Sequence, residues 1–260
     1  MTSTFAGLRS LFKDRNPEQP ADLAPDFKVD VPEVDKGGEA DTSSPYINAD
    51  MAGEVYGIEY TNPQGALTRR WVSVEGFKRS MDGDWSLYAY CFVRKRVRCF
   101  SLDNIQALFD GQGEPVALAD IFPAGHGDAP VSGVLDDTSG RAIIAASRDG
   151  LRALTALAKI DGHLHQKELE SVVAYAAAGA KKANLAMSPD DKKAIERYIG
   201  NLQPTGDVAA DSLDRIAKTD LATQKEFFWY ARDVMDADGL QDEAEIKMFL
   251  EISETLSHEI

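Results

Sequence analysis

Two cysteines in 260 residues are too few for a disulfide framework, and that scarcity points to a reducing compartment, the cytoplasm. No apolar run approaches the roughly 18–20 residues that cross a bilayer, so no membrane span is expected. Residues 1–15 lack a continuous apolar stretch before a small-residue cleavage site, which argues against secretion. Positive charge is also short: 28 Lys+Arg stand against 43 Asp+Glu, a net charge of −15. Duplex DNA needs a basic stripe for its phosphates, so a broad DNA-binding surface is excluded. Gly-x-Ser-x-Gly, a phosphate loop, His-Glu-x-x-His and a dinucleotide fingerprint are all missing. The chain is therefore read as non-catalytic.

What charge there is, is unevenly placed. Residues 1–50 balance to −5, residues 51–125 to −1 and residues 126–260 to −9. The middle segment holds a basic run, Arg94, Lys95, Arg96 and Arg98. An anion would be met there.

Residues 16–50 carry Pro17, Pro20, Pro25, Pro32 and Pro45, many acids and few bulky apolar residues. Such a stretch buries too little surface to offset its ordering entropy, so 1–50 is predicted to be a disordered acidic leader. At its start Phe5, Leu8, Leu11 and Phe12 are spaced for one face of a short helix. A docking peptide or weak membrane toe-hold would use that face. A frayed terminus is the preferred reading for so short an isolated helix.

From Glu54 to Pro115 the pattern is strand-like, punctuated by turns at Asn62–Gly65 and Met81–Asp84. In the strand from Trp85 to Phe92, Leu87, Ala89 and Cys91 share one face while Tyr88, Tyr90 and Phe92 share the other. Five short strands in about 60 residues suggest a small barrel or a strongly curled sheet. Cys91 and Cys99 stand symmetrically about Lys95 and would face each other across a hairpin, as two reduced thiols.

These residues resemble the WYL domain family. The likeness lies in Ile58 to Tyr60, Gly65, Arg70, the run Asp84 to Cys91, Arg94, and Arg98 to Ile105. The name-giving triplet reads Trp85, Ser86, Leu87, and the terminal arginine of the pattern is replaced by Asn104. The resemblance implies an Sm/SH3-like β-barrel over 51–125 that senses a nucleotide or a short single-stranded nucleic acid. Arg70, Arg94 and Arg98 match family positions, and guanidinium forks suit phosphate. Tyr90, with Tyr88, would offer a stacking face, although packing against a neighbouring domain is the preferred role for both tyrosines. No helix-turn-helix precedes this segment, so no duplex-DNA reader is expected.

Residues 126–139 are read as a linker, and 140–260 as an acidic all-α bundle of five to seven helices. Leu151, Leu154 and Ala158 share a helical face, with Gly150 weakening that helix by about 1 kcal/mol. Ser188, Pro189, Asp190 and Asp191 form a strong helix start, and Gly200 marks its end. Phe227, Ala231 and Val234 stripe another helix, and Ile246, Phe249, Leu250 and Leu256 the last.

An internal echo stands out. Ala158 to Glu168 recurs as Met235 to Glu245, each time a helix reaching Asp-Gly with a glutamate six residues after the glycine. This resembles the TerB-like (tellurite-resistance) family, which implies an all-helical domain over about 140–257 and a role in stress response. Gly162 and Gly239 can each end a helix in a left-handed turn, and the glutamates can close capping boxes. The alternative is a divalent metal site, Ca²⁺ or Mg²⁺, assembled from Asp161, Glu168, Asp238 and Glu245. His163 and His165 are read as surface turn residues.

The expected fold class is thus α+β in two domains, a small barrel followed by a helical bundle. The expected function is a non-catalytic cytoplasmic sensor or adaptor. Its barrel takes an anionic ligand and its acidic bundle takes a metal or a partner protein. A ligand-free interaction scaffold is the alternative, and a metal-dependent hydrolase the third reading.

Overall fold

The computed structural model describes residues 5–12, 17–21, 23–31, 47–48, 50–80, 84–121, 139–237, 239 and 242–256. In chain order these form α1 (Ala6–Leu11), β1 (Ile47–Asn48), β2 (Val55–Thr61), β3 (Leu67–Arg79), β4 (Trp85–Cys91) and β5 (Arg96–Ser101). Then come β6 (Ile105–Phe109), β7 (Pro115–Val116) and α2 (Leu118–Ile121). Six longer helices follow: α3 (Ser139–Ala158), α4 (Gln166–Lys182), α5 (Pro189–Asn201), α6 (Gly206–Ile216), α7 (Leu221–Met235) and α8 (Glu243–Leu256). The architecture is α+β, and the chain divides into two compact units. One is Glu18–Leu135; the other joins Met1–Pro17 to Asp136–Ile260. The expected linker 126–139 lies almost wholly outside the described residues.

In the first unit the strands run antiparallel in the order β5-β4-β3-β2-β6-β7. The 13-residue β3 pairs β2 along its first half and the short β1 near its end, with an irregularity between Val74 and Gly76 against β4. One face buries Ile58, Val72, Val74, Phe77, Leu87, Phe100 and Leu108, with Ile121 of α2. The other buries Val55, Trp71, Tyr90 and Phe92 beneath Leu23 and Phe27.

Two expectations are corrected here. The Sm/SH3-like barrel does not close: β5 and β7 end the row, and no pairing joins them among the described residues. The outer edge of β5 begins at exposed Lys95 and Arg96, and charge along an edge discourages further pairing. The cysteines do not face each other either. Register pairs Cys91 with Arg96 and Cys99 with Tyr88, on opposite faces of the sheet, and neither forms a disulfide.

The described parts of 1–50 also depart from a disordered leader. Phe27 lies over the Gly57 backbone, where a Cβ would come within 3.0 Å of its ring. Its ring meets Trp71 at 4.6 Å and Phe109 at 5.3 Å, while Asp30 and Arg69 exchange backbone hydrogen bonds. The proline-rich composition concealed two apolar anchors, Leu23 and Phe27.

In the second unit α3 is central and packs against α4, α5, α6, α7 and α8. Its stripe Leu151, Leu154 and Leu157 meets Val172, Ile195, Leu213, Phe227, Met248 and Ile252. The Ser188 start forms as a capping box: the Asp191 N–H donates to Ser188 Oγ (3.1 Å) and the Ser188 N–H to Asp191 Oδ2 (2.9 Å). Gly150 proves to be a seat for an aromatic ring. A Cβ there would lie 2.2 Å from the Tyr175 ring of α4.

The N-terminal helix is not frayed. Phe5 and Leu8 are fully buried in this same core, and α1 packs on α6 and α8. The Leu8 N–H donates to Glu251 Oε1 (3.1 Å), and Phe12 lies against Gly206. Burying two such side chains contributes roughly 2 kcal/mol each, enough to offset the nucleation penalty of a six-residue helix.

Candidate functional site

Strand alternation places Arg70 on β3 and Arg98 on β5 toward the same face as Val72 and Phe100. Their guanidinium carbons stand 5.5 Å and 5.8 Å from the centroid of the Phe100 ring. The negative face of an aromatic ring attracts a cation, more strongly where water is excluded. Here both arginines are essentially inaccessible, 0% and 2% exposed. Arg70 Nη2 donates to Thr68 Oγ1 (2.8 Å), and that hydroxyl donates to the Tyr60 carbonyl (2.9 Å). Tyr60 meets Phe100 edge-on at 5.3 Å. One aromatic ring thus has two buried guanidiniums beside it, in a unit that also buries the carboxylate of Glu75.

The remaining candidates fall elsewhere. Arg94 is half-buried in the turn after β4, where its N–H donates to the Cys91 carbonyl (3.1 Å). Tyr90 pairs with Ser73 and Val97 on the opposite face, edge-on to Phe92 at 5.6 Å. Burial and the neighbouring Cys91 raise its hydroxyl to about 12. It packs the sheet and offers no stacking surface beside Arg70 and Arg98. Tyr88 is also buried, with Lys78 Nζ 4.3 Å from its ring centroid. Phe100, Thr68 and Tyr60 were missed from sequence. The two-residue spacing of Arg98 and Phe100 in one strand was the available signal.

The repeated Asp-Gly hairpins are built as caps. Gly162 and Gly239 take left-handed φ values of 97° and 77°. Glu168 Oε2 accepts the His165 N–H (2.7 Å), and Glu245 Oε2 accepts the Asp242 N–H (2.9 Å). Both glutamates are buried. Asp161 Oδ1 accepts the His163 N–H (2.8 Å), and its other oxygen lies 3.9 Å from a ring nitrogen of both His163 and His165. Asp238 lies outside the described residues. Among the described residues no group of three or more His, Cys, Asp or Glu side chains is gathered for a metal.

Beside the first hairpin, Lys159 was overlooked because it sits between apolar Ala158 and Ile160. Its Nζ donates to the Gly200 carbonyl (2.6 Å) and the Leu202 carbonyl (2.9 Å), closing the end of α5. Burial pushes the ammonium down to about 7, while the two carbonyls pull the other way by binding the charged form. In the unfolded chain a lysine titrates near 10.4, so between about 7 and 10.4 the unfolded state holds more protons. Stability contributed by this group therefore rises with pH across that window, by up to roughly 1.4 kcal/mol per pH unit. Thermal melts from pH 6.5 to 9.5 should show this rise, and Lys159→Met should flatten it. An unchanged slope in the variant would place the titration elsewhere.

No family model matches the chain, and no curated protein matches it. The WYL and TerB-like resemblances rest on the residues quoted for them. No described helix is long and apolar enough to cross a membrane.

Proposed function

We propose that this chain is a non-catalytic, cytoplasmic stress-response sensor or adaptor. Its sheet unit recognises a nucleotide-like anion or a short single-stranded nucleic acid, and its helical unit engages a partner protein. One observation carries the reading: the buried guanidiniums of Arg70 and Arg98 share the Phe100 ring. Guanidinium forks match phosphate oxygens, and two of them beside one ring supply the donors such a ligand needs. Arg98 and Phe100 both belong to β5, an edge strand. A ligand would reach the pair by shifting that strand while β2 and β3 stay paired. The WYL-like residues support the same ligand class. For the helical unit a partner protein is favoured over Ca²⁺ or Mg²⁺, because Glu168 and Glu245 already close caps.

A thermal-shift panel of mono-, di- and triphosphate nucleosides, inorganic phosphate and short oligonucleotides tests the sheet unit. A ligand at 100 times its Kd adds about 2.7 kcal/mol of stability, so at least one class should raise the melting temperature by several degrees. No shift across the panel would favour the ligand-free scaffold.

A further inference from the structure

We propose that α1 is an internal ligand, a strap that covers the partner-binding surface of the helical unit on α6 and α8 and gives way to a basic amphipathic helix of another protein. By itself α1 has little to hold it as a helix. It spans six residues, its first turn carries no acid, and Phe5, the residue before it, has no side-chain acceptor for the free N–H groups. An acceptor comes from α8 instead. Glu251 Oε1 accepts the Leu8 N–H at 3.1 Å; burial raises that carboxyl above its ordinary value, and the N–H groups of Leu8 and Gly7 oppose the rise. A short helix capped and covered by its receptor folds as it docks, which is how helical peptides enter apolar surfaces.

The fit is close at both ends. A Cβ at Gly7 would lie 2.6 Å from Glu251 Oε1, and a Cβ at Gly206, the first residue of α6, would lie 2.6 Å from the Cβ of Phe12. Between them Phe5 and Leu8 are fully buried, with Leu11 and Phe12 partly so. The surface therefore reads Phe-x-Gly-Leu-x-x-Leu-Phe, with anchors at i, i+3 and i+7. Charge favours a basic occupant. Together α6 and α8 carry seven acids and two bases, whereas residues 1–17 carry three bases and one acid. Along the chain the whole sheet unit, Glu18–Leu135, separates this segment from the helices it covers. Its docking is thus a binding event between remote parts of the chain, and a helix of the same pattern on another molecule can compete for the surface. Terminal elements held by few side chains open before the core does. The strap rests on the partner-protein half of the proposed function and gives that half its surface and partner class. Nucleotide binding at Arg70 and Arg98 is independent of it.

A labelled peptide of residues 1–17 tests the strap on the full chain. Leu8→Asp in the protein should release α1, so the peptide should bind that variant at least tenfold more tightly than the parent. Adding Gly206→Val should weaken the peptide tenfold or more by filling the seat of Phe12. A peptide that itself carries Leu8→Asp should not bind near ~1 mM. Hydrogen exchange on the parent reads the same opening without any substitution: the Leu8 amide should open at least a hundredfold more often than the Leu154 amide of α3. Equal protection of those two amides would make α1 an integral part of the core and overturn the proposal. So would absent peptide binding to Leu8→Asp, equal binding to variant and parent, or dimerisation of the parent that Leu8→Asp abolishes, which would make the occupant a second copy. A partner protein that binds the helical unit while α1 stays fully protected would overturn the strap and leave the adaptor reading standing.

Discussion

Gly150→Val should lower the melting temperature of the helical unit sharply, and Gly150→Ala should lower it too. Helix propensity argues the opposite, because alanine in a helix interior is favoured over glycine by about 1 kcal/mol. The geometry overrides that gain. A Cβ at Gly150 would sit 2.2 Å from ring atoms of Tyr175, a separation no repacking of an aromatic ring absorbs in place. The ring itself is held by Phe227 at 6.2 Å and Tyr230 at 5.4 Å, so α3 and α4 must separate. Overpacking of this kind costs about 1–3 kcal/mol, more for a branched side chain. Helical circular dichroism on heating measures it. Adding Tyr175→Val should recover part of the loss in Gly150→Ala, because it vacates the contested space. A stabilised Gly150→Ala would show that the ring is not seated on this glycine.

Replacing Arg70 and Arg98 together with methionine should abolish nucleotide binding, a loss of at least a hundredfold, without unfolding the sheet. Glu75 is buried in the same sheet, so the variant should also carry Glu75→Gln. Exchanging a whole set of buried charges is often neutral or favourable by about 1–4 kcal/mol, whereas removing one side of a pair costs about 3–5 kcal/mol. Methionine also adapts to irregular core space. Lysine at either position should bind more weakly than arginine, since it keeps the charge and loses the planar fork. Arg94→Ala should have a smaller effect, because its half-buried turn position leaves it less constrained than the strand residues. A variant changed at all three positions that melts far below the parent would instead mark the arginines as structural.

Much of this arrangement was legible in the residues. Alternation in β4 separates Leu87, Ala89 and Cys91 from Tyr88 and Tyr90, and the same parity aligns Arg98 with Phe100. The Asp-Gly echo correctly located two left-handed turns, because only glycine adopts that backbone cheaply. What escaped the sequence was non-local. Nothing near Phe5 or Leu8 says that their partners lie on α6 and α8, more than 190 residues away in the chain. Gly150 reads as a flaw in a helix until Tyr175 is placed against it. Phe27 was hidden by prolines, and its seat against Gly57, where a Cβ would come within 3.0 Å of its ring, joins positions 30 residues apart. Whether β5 closes onto the far edge depends on edge pairing, which strand patterning alone does not encode.

The most direct measurement is the NMR signal of the Arg70 and Arg98 Nε–Hε groups during titration with the nucleotide that scores best in the thermal panel. Both resonances should shift together and saturate at one concentration, and the Phe100 ring signals should follow the same curve. If the nucleotide stabilises the protein while these three residues stay unperturbed, the ligand binds elsewhere and the shared-ring site is wrong.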